Sequence, residues 1–595
     1  MHPTRKLTII GQDPSVRARG RIVTAEIEVP VERLGEGPRG YRVYVVDYDA
    51  SAGRMYKPLP AEAMGSAADP RDPFARRGGK AQSFNKRLLT DPRFHAQNVY
   101  ALIMRTLAHF ERALGRRLSW SFGGHQIKVA PHAFAEPNAF YSRAAEGLFF
   151  GYFAGPDGPV YTCLSHDIIV HETTHALVDG LRPRLMEPSS PDQAAFHEAF
   201  ADVVALLSVF SIPEVLEEAV RQATRSITSG MLRVAGLTSA ALQEGMLFGL
   251  GEQYGDVLSG VHGSSLRRSV RLTPKRGLLE RPEYQEEHRR GEILVAAMLH
   301  AFMKVYRDRL ETLGKDANGK LPAVRMAEEG ADVASRMLTM SIRALDYLPP
   351  TDLEFGDVLS ALITSDLELR PDDSRYRVRD ALRSSFESFG IRPTSAYSAD
   401  GEFGCWEPPQ ILRAKGGRQK RPLKIDYEGV HRESLQRDPD EVFRFLWENR
   451  QVLGLCEEAF TRVAAVRPVL RVDEDGFWLR ETVADYVRIL TLPAGELKGL
   501  RIPGKRQRIQ APKGLSKRTE VRLLGGGALL FDEFGKLKYH IRNALLNPAR
   551  QTRRLEHLHA SGYFDATPRE RGFAALHLKG MLPELRPVTR EADRW

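Results

Sequence analysis

The amino-acid sequence predicts an α+β fold that is divided into more than one domain. At 595 residues the chain exceeds the size at which a single hydrophobic core stops growing. Residues 21–49 alternate apolar and polar side chains as β-strands do, whereas residues 94–114 repeat apolar side chains at helical spacing and stop at Gly115. Residues 297–391 are helical in pattern almost throughout. A β-rich lobe followed by an α-helical lobe is therefore expected.

Changes in composition along the chain predict the limits of the domains. The helical pattern ends near residue 392, and residues 407–423 are rich in Gly, Pro, Lys and Arg, as linkers are. Beyond them, residues 473–477 and 532–535 each separate two runs typical of a β-hairpin. We predict a β-rich region at 1–90 that belongs to the N-terminal lobe, a main domain at 91–392, a linker at 393–425 and a smaller α+β domain at 426–595.

Composition and charge indicate an ordinary globular protein. Hydrophobic residues make up 42% of the chain and charged residues 27%. The net charge of +10 is concentrated in part in residues 413–424 and 498–522, which raises the alternative of a nucleic-acid-binding protein. No known nucleic-acid reader motif accompanies these stretches, so we expect solvated loops and no nucleic-acid partner.

Cysteine usage and apolar runs bear on the cellular compartment. Cys163, Cys405 and Cys456 are far apart and odd in number, which fits neither a disulfide framework nor a CxxC metal site, and we expect inert thiols. The apolar run at residues 7–10 is too short for a signal peptide, and the run at 293–303 is too short for a membrane span. A cytoplasmic protein without a membrane partner is therefore expected.

Two histidines and a glutamate form the pattern HExxH inside an apolar run. On a helix, His171 and His175 lie one turn apart on one face, so both imidazoles can bind the same zinc ion. Glu172 lies beside the remaining coordination position, where its carboxylate can take a proton from a zinc-bound water that attacks a carbonyl. Because so short a pattern also arises by chance, a third ligand is needed.

The third ligand is predicted on the next apolar segment, residues 194–207. Glu198 and Asp202 lie one turn apart there, among Phe, Ala, Val and Leu side chains. Burial of an unpaired carboxylate is unfavourable, so these acids predict a nearby cation or hydrogen-bond donor. Glu198 would complete a His2Glu zinc site, and Asp202 would accept the outer N–H of a ligand histidine. The alternative is a partly exposed helix with two surface acids.

This arrangement resembles the thermolysin-like zinc metallopeptidases, or gluzincins, in which a Glu ligand and, four residues later, an Asp follow HExxH on the next helix. Upstream, the run that contains Asn138 and Ala139 resembles the family's Asn-Ala-Phe-Trp segment, which implies that both residues bind the substrate backbone. The helix at 94–114 and an edge strand at 126–129 also occur in the family's order. An edge strand can pair with an extended peptide.

Downstream of the zinc motif, the resemblance implies two further site residues. Arg267 stands where the family's arginine holds the carbonyl next to the scissile bond. His288 corresponds to the family's transition-state histidine, although Gly291 follows it one residue closer than in the family. His262 is a competing candidate, but it precedes Arg267, which reverses the family's order.

The resemblance spans about residues 94–391. It implies a thermolysin-like catalytic domain with its active site between the two lobes and one zinc ion per chain. Asp167 matches a calcium ligand of the family, but Val209 stands where a glutamate ligand would be, so tight structural calcium is not expected. Residues 426–595 match no part of thermolysin.

The predicted function is that of a zinc metalloendopeptidase acting on a peptide or protein substrate. Glu172 would serve as general base and then as proton donor, while His288 and Arg267 steady the oxyanion and the neighbouring carbonyl. The alternative is a binding or scaffold protein that retains zinc but has lost turnover. Loss of Glu172 would be the usual mark of such a protein, and its presence favours the enzyme.

Overall fold

The order of elements along the chain has the predicted mixed α+β character. The computed structural model describes residues 3–14, 17–18, 21–76, 81–155, 158–225, 230–249, 263–399, 402–409, 424–472, 478–502 and 506–565. The strands are β1 (Thr4–Ile10), β2 (Arg17–Ala18), β3 (Arg21–Ile22), β4 (Thr24–Pro30), β5 (Val43–Val45), β6 (Tyr48–Asp49), β7 (Arg54–Met55), β8 (Ile127–Phe134), β9 (Ala139–Ser142), β10 (Gly147–Gly155), β11 (Gly158–Tyr161), β12 (Met231–Arg233), β13 (Lys320–Pro322), β14 (Ser398–Ala399), β15 (Glu402–Phe403), β16 (Phe460–Val472), β17 (Trp478–Pro493), β18 (Glu520–Phe531) and β19 (Leu537–Asn543). The helices are α1 (Ala81–Thr90), α2 (Pro92–Leu114), α3 (His166–Leu181), α4 (Pro191–Phe210), α5 (Pro213–Ala223), α6 (Ser239–Gly249), α7 (Gly263–Arg271), α8 (Glu287–Thr312), α9 (Ala323–Ala344), α10 (Phe355–Leu369), α11 (Val378–Ser388), α12 (Pro439–Glu448) and α13 (Pro548–Ala560).

The N-terminal part is β-rich, and its mixed sheet has the strand order β11-β10-β8-β5, with β9 paired to β10. The predicted strand at 126–129 is therefore present as β8, but the prediction that it forms an edge was wrong. β5 pairs with it on one side and β10 on the other, both in parallel. Among the described residues β9 pairs with β10 and with no other strand, so β9 is an edge strand of this region, as are β5 and β11 at the ends of the sheet.

Helix α2 confirms the predicted helix over residues 94–114, with both ends set by local chemistry. The side chain of Asp91 accepts a hydrogen bond from the N–H of Arg93, and Pro92 occupies the first turn, where its missing N–H is harmless. Gly115 ends the helix in the left-handed conformation at φ 65°, which glycine adopts without strain. The helix packs against β1, β4 and β5 and against α3.

The helical lobe is built around α4, which packs against α3, α8 and α9. Ser190 caps α4 by accepting from the N–H of Gln193, and Pro191 follows at the first helical position. Gly291 lets α8 approach closely, since a side chain there would lie 3.1 Å from the carbonyl oxygen of Ala195. By length and composition α4 could cross a membrane, but the 18-residue apolar stretch that gives this result is fully buried inside the protein, so it is weak support for a span.

The C-terminal part contains an antiparallel sheet in the order β16-β17-β18-β19. Both predicted hairpins are present, although the first turn, residues 473–477, lies outside the described residues. The middle strands β17 and β18 are buried on both faces over much of their length, and successive side chains of each strand point to opposite faces. Val483 and Leu530 contribute to the main core, whereas Ala484 and Leu529 pack in a second core with α12.

Ion pairs join this sheet to the helical lobe. Asp346, which is 1% exposed, accepts hydrogen bonds from Arg116 at 2.7 Å and from Arg471 of β16 at 2.6 Å. Arg182, just after α3, pairs with Asp485 of β17. Buried charges of this kind are stable only when paired, so they fix the orientation of the sheet on the lobe.

The predicted linker, residues 393–425, is described only in part. Residues 410–423, with most of the basic stretch at 413–424, lie outside the described residues. Before them the chain packs on the helical lobe, where Cys405 is 1% exposed and the indole N–H of Trp406 donates to the carbonyl of Tyr347 at 2.9 Å.

Candidate active site

Helices α3 and α4 bring His171, His175 and Glu198 together. The Nε2 atoms of the two histidines are 2.9 Å apart, and each lies 3.5 Å from a carboxylate oxygen of Glu198. All three side chains are buried, and their potential ligand atoms lie within 4.8 Å of one another. Two nitrogens and one carboxylate oxygen are the donor set of a His2Glu zinc site.

Hydrogen bonds to the outer nitrogens orient the two imidazoles. Asp202, one turn after Glu198, accepts from Nδ1 of His171 at 2.8 Å, in the position that the sequence predicts. Nδ1 of His175 lies 2.7 Å from Nδ1 of His197, and the two rings stack with their centroids 4.7 Å apart. Once both Nδ1 atoms donate outward, the Nε2 lone pairs converge on one point, as a metal site requires.

Charge also favours a cation at this point. Glu172, Glu198 and Asp202 are at most 4% exposed, so three carboxylates share one buried cluster. Burial raises the pKa of Glu172 to about 8, with repulsion from Glu198 adding to the shift and the charge of His171 opposing it. Burial likewise opposes charge on His171, yet hydrogen bonds to Asp202 and Glu198 raise its pKa well above the usual value. A divalent cation would neutralise this excess of negative charge, so the residues fit a zinc ion.

Strand β9 places the predicted substrate-binding run beside Glu172. The backbone N–H of Tyr141 donates to the Glu172 carboxylate at 2.9 Å. Asn138 lines the cavity in front of Glu172, and its backbone carbonyl accepts from the N–H of Gly151 at 2.8 Å. The Ala139 side chain is 2% exposed and packs in the main core.

A polar cluster beside β9 was not predicted from the sequence. The hydroxyl of Tyr141 donates to Asp179 at 2.9 Å and lies 2.6 Å from the hydroxyl of Ser121. Arg143 pairs with the same Asp179 carboxylate. The only sequence signal was the acid at position 179 inside an apolar helix, two turns after Glu172. The cluster fixes the edge strand against the helix that carries HExxH.

The structure describes His288 in full but not the other residues predicted downstream of the zinc motif. The backbone of Arg267 lies in α7, but its side chain and all of His262 lie outside the described residues. His288 lies in the first turn of α8, and its Nδ1 is 2.7 Å from the Glu286 carboxylate. Burial opposes a charge on His288, but the bond to Glu286 and the charge of Glu198 raise its pKa to about 9.

Of the two positions related to calcium in the resemblance, Asp167 is half-buried and Val209 is buried. Asp167, in the first turn of α3, accepts a hydrogen bond from the hydroxyl of Ser165 at 2.5 Å. Val209 is 2% exposed and packs in the main core.

A cavity of about 1370 Å³ lies in front of the cluster. One wall carries Glu172 and His175 together with Asn138 and Tyr141. Other lining residues come from the C-terminal part of the chain and include Ile489, Arg522, Leu524, Arg554, Leu558 and Tyr563. The C-terminal sheet and α13 therefore shape the space in which a substrate would lie, a contribution that the sequence did not predict.

Comparison with known proteins gives no independent assignment: no family model matches the chain, and no curated protein matches it.

Proposed function

We propose that the chain is a zinc-dependent metalloendopeptidase. The observation that carries the proposal is the convergence of His171, His175 and Glu198, with Glu172 next to them on the same cavity. A purely structural zinc site is closed by its protein ligands, whereas three ligands leave one position for water or substrate.

We also infer a thermolysin-like arrangement for residues 91–392. Its support is the order of elements, in which a β-rich part with an edge strand precedes two packed helices that carry the ligands. The close approach of α8 to α4 at Gly291 gives His288 its place near Glu198.

The chain's own residues divide the chemistry between them. When bound, zinc would supply a Lewis acid that polarises a carbonyl and makes water more acidic. Glu172 accepts the proton of the attacking water and returns it to the leaving amine. The N–H of Tyr141 holds one oxygen of Glu172 in place. A protonated His288 would donate to the oxyanion that forms on the substrate carbonyl.

The shape of the site favours a peptide as substrate. On the side of β9 that faces away from β10, the N–H groups of Ala139 and Tyr141 donate to Asn138 and Glu172, and the backbone C=O groups of the same two residues would accept hydrogen bonds from an extended chain. The cavity of about 1370 Å³ exceeds the roughly 300–1,000 Å³ of pockets for small ligands, so several residues of a peptide can enter.

The alternative, a zinc-retaining scaffold without turnover, predicts a blocked or missing general base. Glu172 is present and lines the cavity, which favours hydrolysis.

The test is cleavage of a peptide library by the purified protein, with metal content measured on the same sample. We expect internal cleavage that stops on chelation and returns with zinc. The Glu198→Gln variant should lose both this zinc ion and the cleavage, because Glu198 is a ligand. Absence of cleavage from the zinc-loaded protein, or cleavage that persists without metal, would overturn the proposal.

A further inference from the structure

A second group of metal-binding side chains lies in the β-rich part, away from the candidate active site. It consists of His95 in the first turn of α2, His132 in β8 and Cys163 in the short helix before α3. Their potential ligand atoms lie within 4.8 Å of one another. All three residues are at most 1% exposed, so the group is more deeply buried than an incidental surface cluster.

The hydrogen bonds of the two histidines determine which nitrogens carry protons. Nδ1 of His132 lies 2.8 and 3.0 Å from the two carboxylate oxygens of Asp47, which can only accept, so this Nδ1 carries the hydrogen. Nε2 of His95 faces the carbonyl oxygen of Leu89 at 3.2 Å, so it also donates. In these tautomers the lone pairs of His95 Nδ1 and His132 Nε2 point at each other.

These two nitrogens are 2.8 Å apart. At this distance the two lone pairs repel unless the nitrogens share a proton or both bind a metal ion. Both histidines have the outer partner that metal ligands have, a carboxylate in one case and a backbone carbonyl in the other. Cys163 supplies a third donor, and a thiolate is a strong ligand for zinc and copper.

We propose that His95, His132 and Cys163 bind a second metal ion, zinc(II), at a site separate from the HExxH site. Charge favours a divalent ion, because the Cys163 thiolate and the Asp47 carboxylate together balance it, whereas copper(I) would leave a net negative charge in the interior. The ring centroids of Tyr56 and Tyr161 lie 4.7 Å from that of His132 and 4.8 Å from that of His95, respectively, so aromatic rings pack against both histidines, and a bound water would complete the four-coordinate zinc. Cys163 thus has a role that the sequence analysis did not give it.

The position of the site indicates what the ion does. It would join α2, β8 and the turn that leads into α3, the helix with the HExxH residues. A hydrogen bond already links the first and last of these elements, since the side chain of Asn98 in α2 donates to the carbonyl of Cys163 at 3.0 Å. The second ion would therefore stabilise the start of the helix that carries the first.

Metal analysis and cobalt substitution test the proposal. The purified protein should contain two zinc ions per chain rather than the one that the HExxH motif alone predicts. After exchange for cobalt(II), a thiolate ligand gives charge-transfer absorption in the near ultraviolet, which the nitrogen and oxygen ligands of the HExxH site do not give. Cys163→Ser should lose this band and one metal ion, and its thermal stability should fall. Cys405→Ser, which removes another buried thiol, should keep both, and Glu198→Gln should keep the band.

The outcomes separate this proposal from the proposed enzyme function. Loss of the band in Cys163→Ser with the second ion retained in Glu198→Gln supports the second site, whether or not peptides are cleaved. Any of three results would overturn the second site: zinc only at the HExxH site, a charge-transfer band that survives in Cys163→Ser, or copper in place of zinc. If Cys163→Ser does not fold, X-ray absorption at the zinc edge of the unmodified protein decides: one sulfur ligand for every two zinc ions is expected, and no sulfur would refute the site.

Discussion

The substitution Glu172→Gln separates the general base from the metal ligands. Glu172 is 2% exposed, and one of its oxygens accepts the N–H of Tyr141 at 2.9 Å. A glutamine has the same shape, and its carbonyl oxygen can keep this hydrogen bond. Weakening a charge-assisted bond to a neutral one changes stability by about 1 kcal/mol, so the variant should fold. Zinc should stay bound, because the ligand set is His171, His175 and Glu198.

The expected loss is in the chemical step. An amide cannot accept the proton of the attacking water, and a positioned general base contributes roughly 100- to 10,000-fold to the rate. This range corresponds to about 3–5 kcal/mol of activation free energy. Since Glu172 does not bind the substrate in this scheme, kcat should fall by this factor while KM changes little.

The assay is steady-state cleavage of a fluorogenic peptide, with zinc measured on the same preparations. Glu187→Gln is a matched control: it makes the same chemical change on the same cavity, at an acid whose partner is Arg184. It should cleave at close to the unmodified rate. A Glu172→Gln enzyme that retains zinc and turns over within a few-fold of the unmodified protein would refute the general-base role, and loss of its zinc would show that Glu172 is a ligand.

Four further substitutions test other parts of the site and the fold. Asp202→Asn should weaken zinc binding roughly 10- to 100-fold, because the outer partner of a ligand histidine is lost, and competition with a chelator of known affinity measures this. His288→Ala should lower kcat/KM on the order of 100-fold with zinc retained, whereas His262→Ala should do little; the reverse pattern in peptide kinetics would exchange the two assignments. Asp346→Asn should destabilise the fold by up to about 3–5 kcal/mol in chemical unfolding, because Arg116 loses its carboxylate partner and the buried Arg471 keeps Glu481 but loses Asp346. Burial opposes ionisation of Asp346, but the arginines lower its pKa well below the usual value. The contribution of the ionised Asp346 to the free energy of unfolding is therefore complete above about pH 4 and is lost as the pH falls further. The Asp346→Asn variant should lack this loss of stability in acid.

The parts of the site that lie on one helix were predictable from the sequence. His171 and His175 are brought together by the helical repeat alone, because residues four apart lie on one face whatever the helix packs against. The same rule gave Asp202 its place one turn after Glu198. Burial of two acids in an apolar helix then predicted a partner for them, and the structure places both next to the histidines.

Contacts between distant segments were not predictable in this way. His197 precedes Glu198 in the sequence, but nothing in the local sequence pattern indicates that its ring stacks on that of His175. The edge strand was assigned to β8 because the sequence does not show that β5, more than 80 residues earlier, pairs with it. Cys163 was interpreted as an inert thiol because His95 and His132, which lie near it in the fold, are on other elements and at no recognisable spacing in the sequence.

Local rules therefore predicted the elements and the face that each presents, since backbone geometry and the alternation of apolar residues act over a few residues. The packing of the elements, by contrast, depends on loop paths and on complementary surfaces that meet only in the folded chain. It placed the Tyr141 N–H of β9 next to the Glu172 carboxylate, made the C-terminal sheet part of the lining of the cavity, and brought Nδ1 of His95 to within 2.8 Å of Nε2 of His132. The ion pair between Arg471 and Asp346 is an example. The two residues are 125 positions apart in the sequence, and burial of either charge is unfavourable unless the other charge lies beside it.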